Sequence, residues 1–210
     1  MPESLKKEEV ERGQDPSVMK QFDSSTPTDQ KFEDLYTIVD KQKIGMLGTY
    51  RNNIGPVSRA MAVAKRSGPD FLFLANAHSQ KFDDLEQNKL GQVIFHNSSN
   101  QDWVCITGEL ATSSNDDPRI KEVYSKPVSA WFGDLGDGVH TGGPEDPRMK
   151  LIEIKAKYIS YWQHEAGALG FAKEIGGAIA TGGVAQTGTL REMKENEIEQ
   201  ARAKGGSMSS

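Results

Sequence analysis

Residues 55–107, GPVSRAMAVAKRSGPDFLFLANAHSQKFDDLEQNKLGQVIFHNSSNQDWVCIT, carry the pattern that decides the fold. Their apolar residues alternate or cluster in short runs, and these runs are bounded by Gly, Pro, Asn and Ser, as is typical of β-strands joined by turns. One insert, residues 79–88, has its apolar residues at helical spacing instead. The stretch therefore predicts four strands around one short helix.

Strand-like patterns continue on both sides of this stretch. The predicted strands are residues 44–50, 57–64, 71–75, 91–97, 103–112 and 149–164. Helices are predicted from Thr28, with Thr28 as N-cap, and at residues 79–88 and 116–124. The run 71–75 is almost continuously apolar, which predicts a strand buried on both faces. Six strands with few crossover helices favour a mainly β fold with flanking helices, an antiparallel barrel or sandwich, over a doubly wound parallel sheet.

The chain divides into three predicted regions. Residues 1–27 are charged and polar, which predicts a flexible N-terminal tail, and residues 28–165 form the folded domain. Residues 166–189 are too rich in glycine for an ordinary helix and are interpreted as an extended excursion. A solvated helix is predicted at 189–203, with Thr189 as cap and Glu192 three residues later, and residues 205–210 are expected to be disordered.

Composition excludes several classes of function. The chain has 210 residues and a net charge of −5, so it presents no basic face for nucleic acid. The single cysteine, Cys105, cannot form an internal disulfide, which suits a reducing compartment. No apolar run reaches the roughly 18 residues that a membrane span needs, and no secretory signal is visible. Scattered histidines give no metal-ligand spacing, so we expect a cytoplasmic protein without a metal or membrane.

Ser79 and Lys81 form the first candidate site. They stand where a short helix begins, and unpaired N–H groups at a helix N-terminus attract phosphate. Lys81 adds a mobile positive charge that suits the same ligand. The alternative is an ordinary N-cap serine followed by a solvated lysine. Spacing alone leaves both interpretations open.

Arg59 and two tryptophans are the next candidates. Arg59 lies in a strand among small residues, where it sits either at the rim of the sheet or inside, clamped onto an anion. Alanines at 60, 62 and 64 would let a flat ring approach the backbone. Trp103 and Trp131 either stack on a planar ligand or fill a core or a dimer interface.

These residues, in this order, resemble a known family. The carriers are VSRAM at 57–61, FLFLANAHSQK at 71–81, DWVCITGELA at 102–111 and TGTLREMKENEIEQAR at 187–202. The chain is similar to the pyridoxamine 5′-phosphate oxidase-like FMN-binding split barrels. Within them it most resembles the general stress protein branch and its fungal blue-light-inducible proteins.

The resemblance implies a six-stranded antiparallel split β-barrel that forms a homodimer with FMN at the interface. Arg59 would open the flavin-binding strand, and Trp131 would come from the partner subunit. The cofactor-binding residues implied by the resemblance are Arg59, Ala60, Met61, Ala62, Leu74, Ala75, Ser79, Gln80, Lys81, Trp103 and Trp131.

Two departures from the true oxidases bear on activity. Gln80 stands where those enzymes have the arginine of an Arg-Lys pair, and Ala64 stands where they have a lysine. A C-terminal arginine-bearing substrate motif is also missing. The resemblance thus implies an FMN flavoprotein, an oxidoreductase of unknown substrate in a stress-response context, with a reduced nicotinamide or another carrier as reductant. The alternatives are a non-catalytic flavin-binding module and a cofactor-free dimeric scaffold.

Overall fold

The computed structural model describes residues 15–205, so the expectations for residues 1–14 and 206–210 fall outside it. The strands are β1 (Ile44–Arg51), β2 (Gly55–Ala62), β3 (Lys65–Ser67), β4 (Asp70–Asn76), β5 (Leu90–His96), β6 (Trp103–Thr112), β7 (Met149–His164) and β8 (Gly188–Met193). The helices are α1 (Pro16–Gln21), α2 (Thr28–Val39), α3 (Lys81–Gln87), α4 (Arg119–Val123), a 3-10 helix (Lys126–Trp131), α5 (Ala168–Thr181) and α6 (Glu195–Gly205).

All eight strands belong to one antiparallel sheet. Its order is β2-β1-β5-β6-β7-β4-β3, and β8 pairs with β7 beside this path. β2 also lies against β4, so the two ends of the sheet approach each other although no ladder is formed between them. The prediction of a mainly β, antiparallel fold with flanking helices is confirmed. In the described part of the chain, no helix is long and apolar enough to cross a membrane.

Alternation along the strands separates an inner from an outer face. The inner row Arg59, Leu47, Val93, Ile106, Ile159 and Met193 runs across six strands. Its apolar members are fully buried under α2, α3 and α6. The neighbouring outer row is Ala60, Met46, Ile94, Cys105 and Ser160, and Met46 is exposed. A register shift of one residue would exchange these rows, so burial fixes the pairing.

Strand β4 separates two apolar cores, as its continuous apolar run predicted. Phe71, Phe73 and Ala75 belong to the main core, whereas Leu72 packs into a smaller core with Met149. The 3-10 helix and α4 cover this smaller core through Val123, Val128 and Phe132.

Three local predictions were wrong. The pattern of residues 66–70, RSGPD, predicts a turn after the second strand, but Lys65–Ser67 form β3. β8 was interpreted as the start of a helix capped by Thr189. The Thr189 hydroxyl instead donates to Glu165, because β8 extends the sheet along the exposed edge of β7. Thr28 is the first residue of α2, not its cap, and its hydroxyl donates to Glu197 of α6.

The glycine-rich segment contains the helix α5 rather than an extended excursion. Each internal glycine costs about 1 kcal/mol relative to alanine, and alanine and long apolar residues between the glycines offset that cost. Gly182 ends the helix in the left-handed conformation, at φ 66°. Leu169 and Ile179 stay exposed, and the Phe171 ring lies 5.9 Å from that of His164. α5 is therefore an apolar helix at the end of β7, and little of it is buried.

Candidate functional site

A cavity of about 780 Å³ lies at the split in the sheet, where β2 approaches β4. Residues of β2, β4, α3 and the 3-10 helix surround it. The lining consists of Ile44, Ala60, Met61, Ala62, Val63, Ala64, Leu74, Ala75, Asn76, Lys81, Val123, Ser125, Pro127, Val128, Trp131 and Phe132. The volume is within the range of roughly 300–1,000 Å³ that is usual for small-molecule sites.

One side of the cavity is built from small residues. Ala60, Ala62 and Ala64 follow each other along and just beyond β2, and Ala75 faces them from β4. Methyl side chains leave the backbone N–H and C=O groups close to whatever occupies the space. This side therefore suits a flat, polar-edged ring.

The opposite wall is the 3-10 helix and the residue that follows it. Val128 and Phe132 are anchored in the smaller core, while the Trp131 side chain is 86% exposed. Arg148 fixes the end of this wall, because its guanidinium donates to the carbonyls of Phe132 and Gly133 at 2.8 Å each. Trp131 is thus held at the mouth of the cavity with its ring free to contact a ligand.

Lys81 brings positive charge to the cavity. Its Nζ donates to Ser79 Oγ at 2.6 Å, and that hydroxyl donates to the Asn76 carbonyl at 2.7 Å. Burial lowers the pKa of Lys81, and the neighbouring charge of Arg59 lowers it further. Ser79 is not the ordinary N-cap of the alternative interpretation. The helix begins at Lys81 after Gln80, and Ser79 closes the preceding turn with Asn76.

Arg59 points into the protein, on the same face as Leu47. Its Nη1 donates to the Leu47 carbonyl at 3.2 Å and to Thr49 Oγ1 at 2.7 Å, and its Nη2 donates to Asp84 Oδ2 at 3.2 Å. The sequence left two interpretations of Arg59 open, one at the rim of the sheet and one inside it and clamped onto an anion. The contacts agree with the second, and the anion is the Asp84 carboxylate. Burial lowers the pKa of Arg59, which Asp84 partly offsets.

Asp84 joins a second arginine to this group. Arg51 donates to it in a fork, Nε to Oδ1 at 3.0 Å and Nη2 to Oδ2 at 3.3 Å, and the Thr49 hydroxyl donates to Oδ2 at 2.7 Å. Burial alone would raise the pKa of Asp84, but these donors and the two arginine charges outweigh it, so the pKa is lowered. We call Thr49, Arg51, Arg59, Lys81 and Asp84 the cation cluster.

Most of the predicted site residues meet at this cavity. Ala60, Met61, Ala62, Leu74, Ala75, Lys81 and Trp131 line it. Ser79 contacts Lys81, and Arg59 lies close enough to alter its pKa. Trp131 lines the cavity of its own chain, and the contact with a partner's flavin that the resemblance implies stays a prediction.

Gln80 and Trp103 are not part of the lining. Gln80 precedes α3, and its carbonyl accepts a backbone hydrogen bond from Asp84. Trp103 pairs with Trp162 of β7, whereas Leu74, which lines the cavity, pairs with Leu151 of the same strand. These two positions of β7 are eleven residues apart. At a rise of about 3.3 Å per residue, that separation places Trp103 at the far end of the sheet.

Sequence reasoning missed the cavity wall except Trp131, and it missed three of the five residues of the cation cluster, Thr49, Arg51 and Asp84. Nothing periodic in residues 123–132 indicates that they return to β4, because their position is set by contacts with the smaller core. Asp84 did leave a signal, since it lies three residues after Lys81 and so on the same face of α3. Among the described residues, no group of three or more His, Cys, Asp or Glu could hold a metal ion.

Comparisons with known proteins place this fold and cavity in a family. The family described as "Pyridoxamine 5′-phosphate oxidase like" matches residues 30–186. Protein bli-3 of Neurospora crassa is 35% identical over 192 residues, which cover 90% of this chain and 91% of that protein.

Solved structures share the fold at lower identity. A Clostridium acetobutylicum protein related to general stress protein 26 superposes with a TM-score of 0.59 at 16% identity, covering 81% of this chain and 98% of that one. A pyridoxamine 5′-phosphate oxidase-related, FMN-binding protein of Nostoc punctiforme superposes with a TM-score of 0.50 at 12% identity, covering 70% of this chain and 95% of that one. The family match spans most of the sheet and the whole cavity lining, so this chain belongs to the pyridoxamine 5′-phosphate oxidase-like family.

Proposed function

We propose that this protein binds FMN in the cavity between β2 and β4. The observation that carries the proposal is that one cavity joins an alanine-lined side and an exposed tryptophan to a lysine, and that two partly buried arginines meet on the carboxylate three residues after this lysine. The isoalloxazine ring would lie along Ala60 and Ala62, with Leu74 and Ala75 near the ribityl chain. The phosphate would meet Lys81 and Ser79. The FMN-binding protein of Nostoc punctiforme, which has a related fold, supports the same ligand class.

The lining residues suit binding more than proton transfer. Lys81 is the only titratable side chain among the described residues that line the cavity. When bound, FMN would supply the redox chemistry, and the chain would orient it and exclude water. We therefore propose an FMN-dependent oxidoreductase that draws electrons from a reduced nicotinamide or another carrier. Gln80 and Ala64 argue against pyridoxamine phosphate as its substrate. The similarity to general stress proteins suggests a role under stress.

A second copy of the chain is proposed to cover the outer face of the sheet. Ile44, Met46, Leu90 and Tyr158 are exposed on or beside this face. Ile44 and Ala60 belong both to it and to the cavity lining, so the cavity opens at the edge of the apolar face. An isologous dimer buries the same patch on both subunits and would shield the flavin. Met46→Glu should give a monomer in light scattering, whereas a Met46→Glu protein that remains dimeric would contradict this face as the interface.

Absorbance and fluorescence titrations with FMN test the proposed function. Purified protein should show flavin bands, or quench added FMN fluorescence saturably, and Trp131→Ala should weaken binding about two- to tenfold through lost stacking. A protein that is colourless and stays so after incubation with FMN and gel filtration would overturn the proposal. That result would favour the alternative of a dimeric scaffold without a cofactor.

Reduction kinetics separate an enzyme from a flavin carrier. Stopped-flow mixing of the FMN complex with NADH or NADPH should bleach the flavin band within seconds if the protein is an oxidoreductase that uses a nicotinamide. Bound FMN that no reductant bleaches faster than free FMN would favour a non-catalytic flavin-binding protein.

A further inference from the structure

The cation cluster contains more positive than negative charge. Arg51 and Arg59 donate to a single buried carboxylate, Asp84, Lys81 lies three residues before it in the same helix, and the neighbouring Asp83 is exposed to water. Like charges that are partly withdrawn from water repel one another strongly unless an anion balances them. The described side chains of the cluster leave about two positive charges unbalanced, which matches a phosphate monoester dianion at neutral pH.

Arg51 and Arg59 hold different parts of this arrangement. Arg51 donates hydrogen bonds to both carboxylate oxygens of Asp84. Arg59 donates one hydrogen bond to Asp84 through Nη2, and its Nη1 donates to the Thr49 hydroxyl and the Leu47 carbonyl. The β1–β2 register places Arg51 opposite Gly55, at the hairpin, whereas Ala60, Ala62 and Ala64 of the cavity lining lie towards or beyond the other end of β2. Arg51 is therefore farther from the cavity along this strand pair than Arg59.

We infer that Arg51 is a positioning residue that offsets the charge of Asp84, so that Arg59 and Lys81 both act on the phosphate of the flavin. This inference rests on the proposed function and deepens it. It also explains how Gln80 is tolerated where the true oxidases have a second cation. The compensating charge comes from Arg51 of β1, 29 residues before Gln80 in the chain, through the carboxylate of α3.

The first test compares FMN with riboflavin, which lacks the phosphate. Arg51→Gln should weaken FMN binding about tenfold at low ionic strength and leave riboflavin binding unchanged. Arg66→Gln is the matched control, because Arg66 makes the same bidentate pair with Asp40 at a surface outside the cavity. It should change neither affinity. Equal loss of FMN and riboflavin binding in Arg51→Gln would mean a structural role only and would overturn the inference.

The second test is a rescue. In the double variant Arg51→Gln with Asp84→Asn, one positive and one negative charge are removed together, so the cluster returns to its original net charge. FMN affinity should recover to within about threefold of the parent, because Arg59 keeps its contacts with Thr49 and Leu47. A double variant as weak as Arg51→Gln would instead indicate a direct contact between Arg51 and the ligand, and the charge-offset role would fall.

Different results would contradict the proposed FMN binding and the proposed role of Arg51. If the parent protein binds neither FMN nor riboflavin, both proposals are wrong. If the parent prefers FMN over riboflavin but Arg51→Gln keeps the full preference, only this inference is overturned.

Discussion

Two arginine networks in this molecule have opposite balances of charge. In the cation cluster, two arginines donate to one carboxylate, Asp84, and a lysine lies three residues before it in the same helix. At the other end of β7, Arg191 alone meets three carboxylates, with Asp23 at 2.9 Å, Asp34 at 3.3 Å and Glu165 at 3.6 Å. The two networks use the same side-chain chemistry and lie in the same sheet.

The ionic groups of the Arg191 network find hydrogen-bond partners within the protein. Arg191 also donates to Gln163, and Asp23 accepts hydrogen bonds from Ser25 and Thr26. These contacts join the segment before α2, α2 itself and the β7–β8 pair. A network whose ionic groups find hydrogen-bond partners within the protein holds segments together, whereas one with an excess of cations beside a cavity suits an anionic ligand. Substitutions should therefore separate stability from binding.

The largest effect is expected for Arg191→Met. Removing the arginine leaves Asp23 and Asp34 without their cation, which should lower the free energy of unfolding by about 3–5 kcal/mol. Denaturant unfolding measures this change. FMN affinity of the folded fraction should stay the same, since Arg191 is far from the cavity lining. A variant with parental stability would show that this network is no more than a set of hydrated surface charges.

Arg59→Gln should give the reverse pattern. The loss of one charge-assisted contact near the phosphate should weaken FMN binding by about 1.5–3 kcal/mol, roughly ten- to a hundredfold. Stability without ligand should change less than in Arg191→Met, because deleting one of several like charges relieves repulsion. Isothermal titration with FMN and denaturant unfolding without it, on the same preparation, give both numbers. A large loss of stability with unchanged FMN affinity would reverse the roles of the two networks.

The sequence predicted the parts of the fold that depend on short-range pattern. β4, β6 and β7 were found because their alternation or continuous apolar character reflects burial that each strand experiences along its whole length. β8 and α5 were missed for the opposite reason. The Thr189 and Glu192 spacing fits a capping box, and only the presence of an open β7 edge makes the segment a strand. A local pattern cannot report a partner that is distant in sequence.

The candidate site shows the same limit at the level of side chains. Ala60, Ala62, Leu74, Ala75 and Lys81 were expected at one site because they lie in motifs that resemble a family, and the cavity brings them together. Thr49, Arg51 and Asp84, which surround Arg59, were not predicted. Their meeting depends on α3 packing against β1, which no spacing in the sequence records.

The smallest expected effect is a change in how stability depends on pH. A hydrogen bond from Thr26, and a weaker contribution from that of Arg191, hold the pKa of Asp23 well below its usual range, although burial alone would raise it. A carboxyl whose pKa is lowered on folding contributes stability that is complete above its unfolded pKa of about 3.9 and is lost as the pH falls below it. Between pH 5 and pH 2.5 the parent should therefore lose stability, and the part due to Arg191 should amount to about 1 kcal/mol.

Arg191→Met should flatten only part of this profile, because the hydrogen bond from Arg191 to Asp23 is lost while the one from Thr26 remains. Thermal melts at half-unit pH steps measure the difference between the two profiles. Arg51→Gln is the informative comparison, since Asp84 loses the forked hydrogen bonds from Arg51, keeps those from Arg59 and Thr49, and should keep part of its own acid dependence. If both variants flatten the profile equally, acid sensitivity does not distinguish the two networks, and their different charge balance has no consequence for stability.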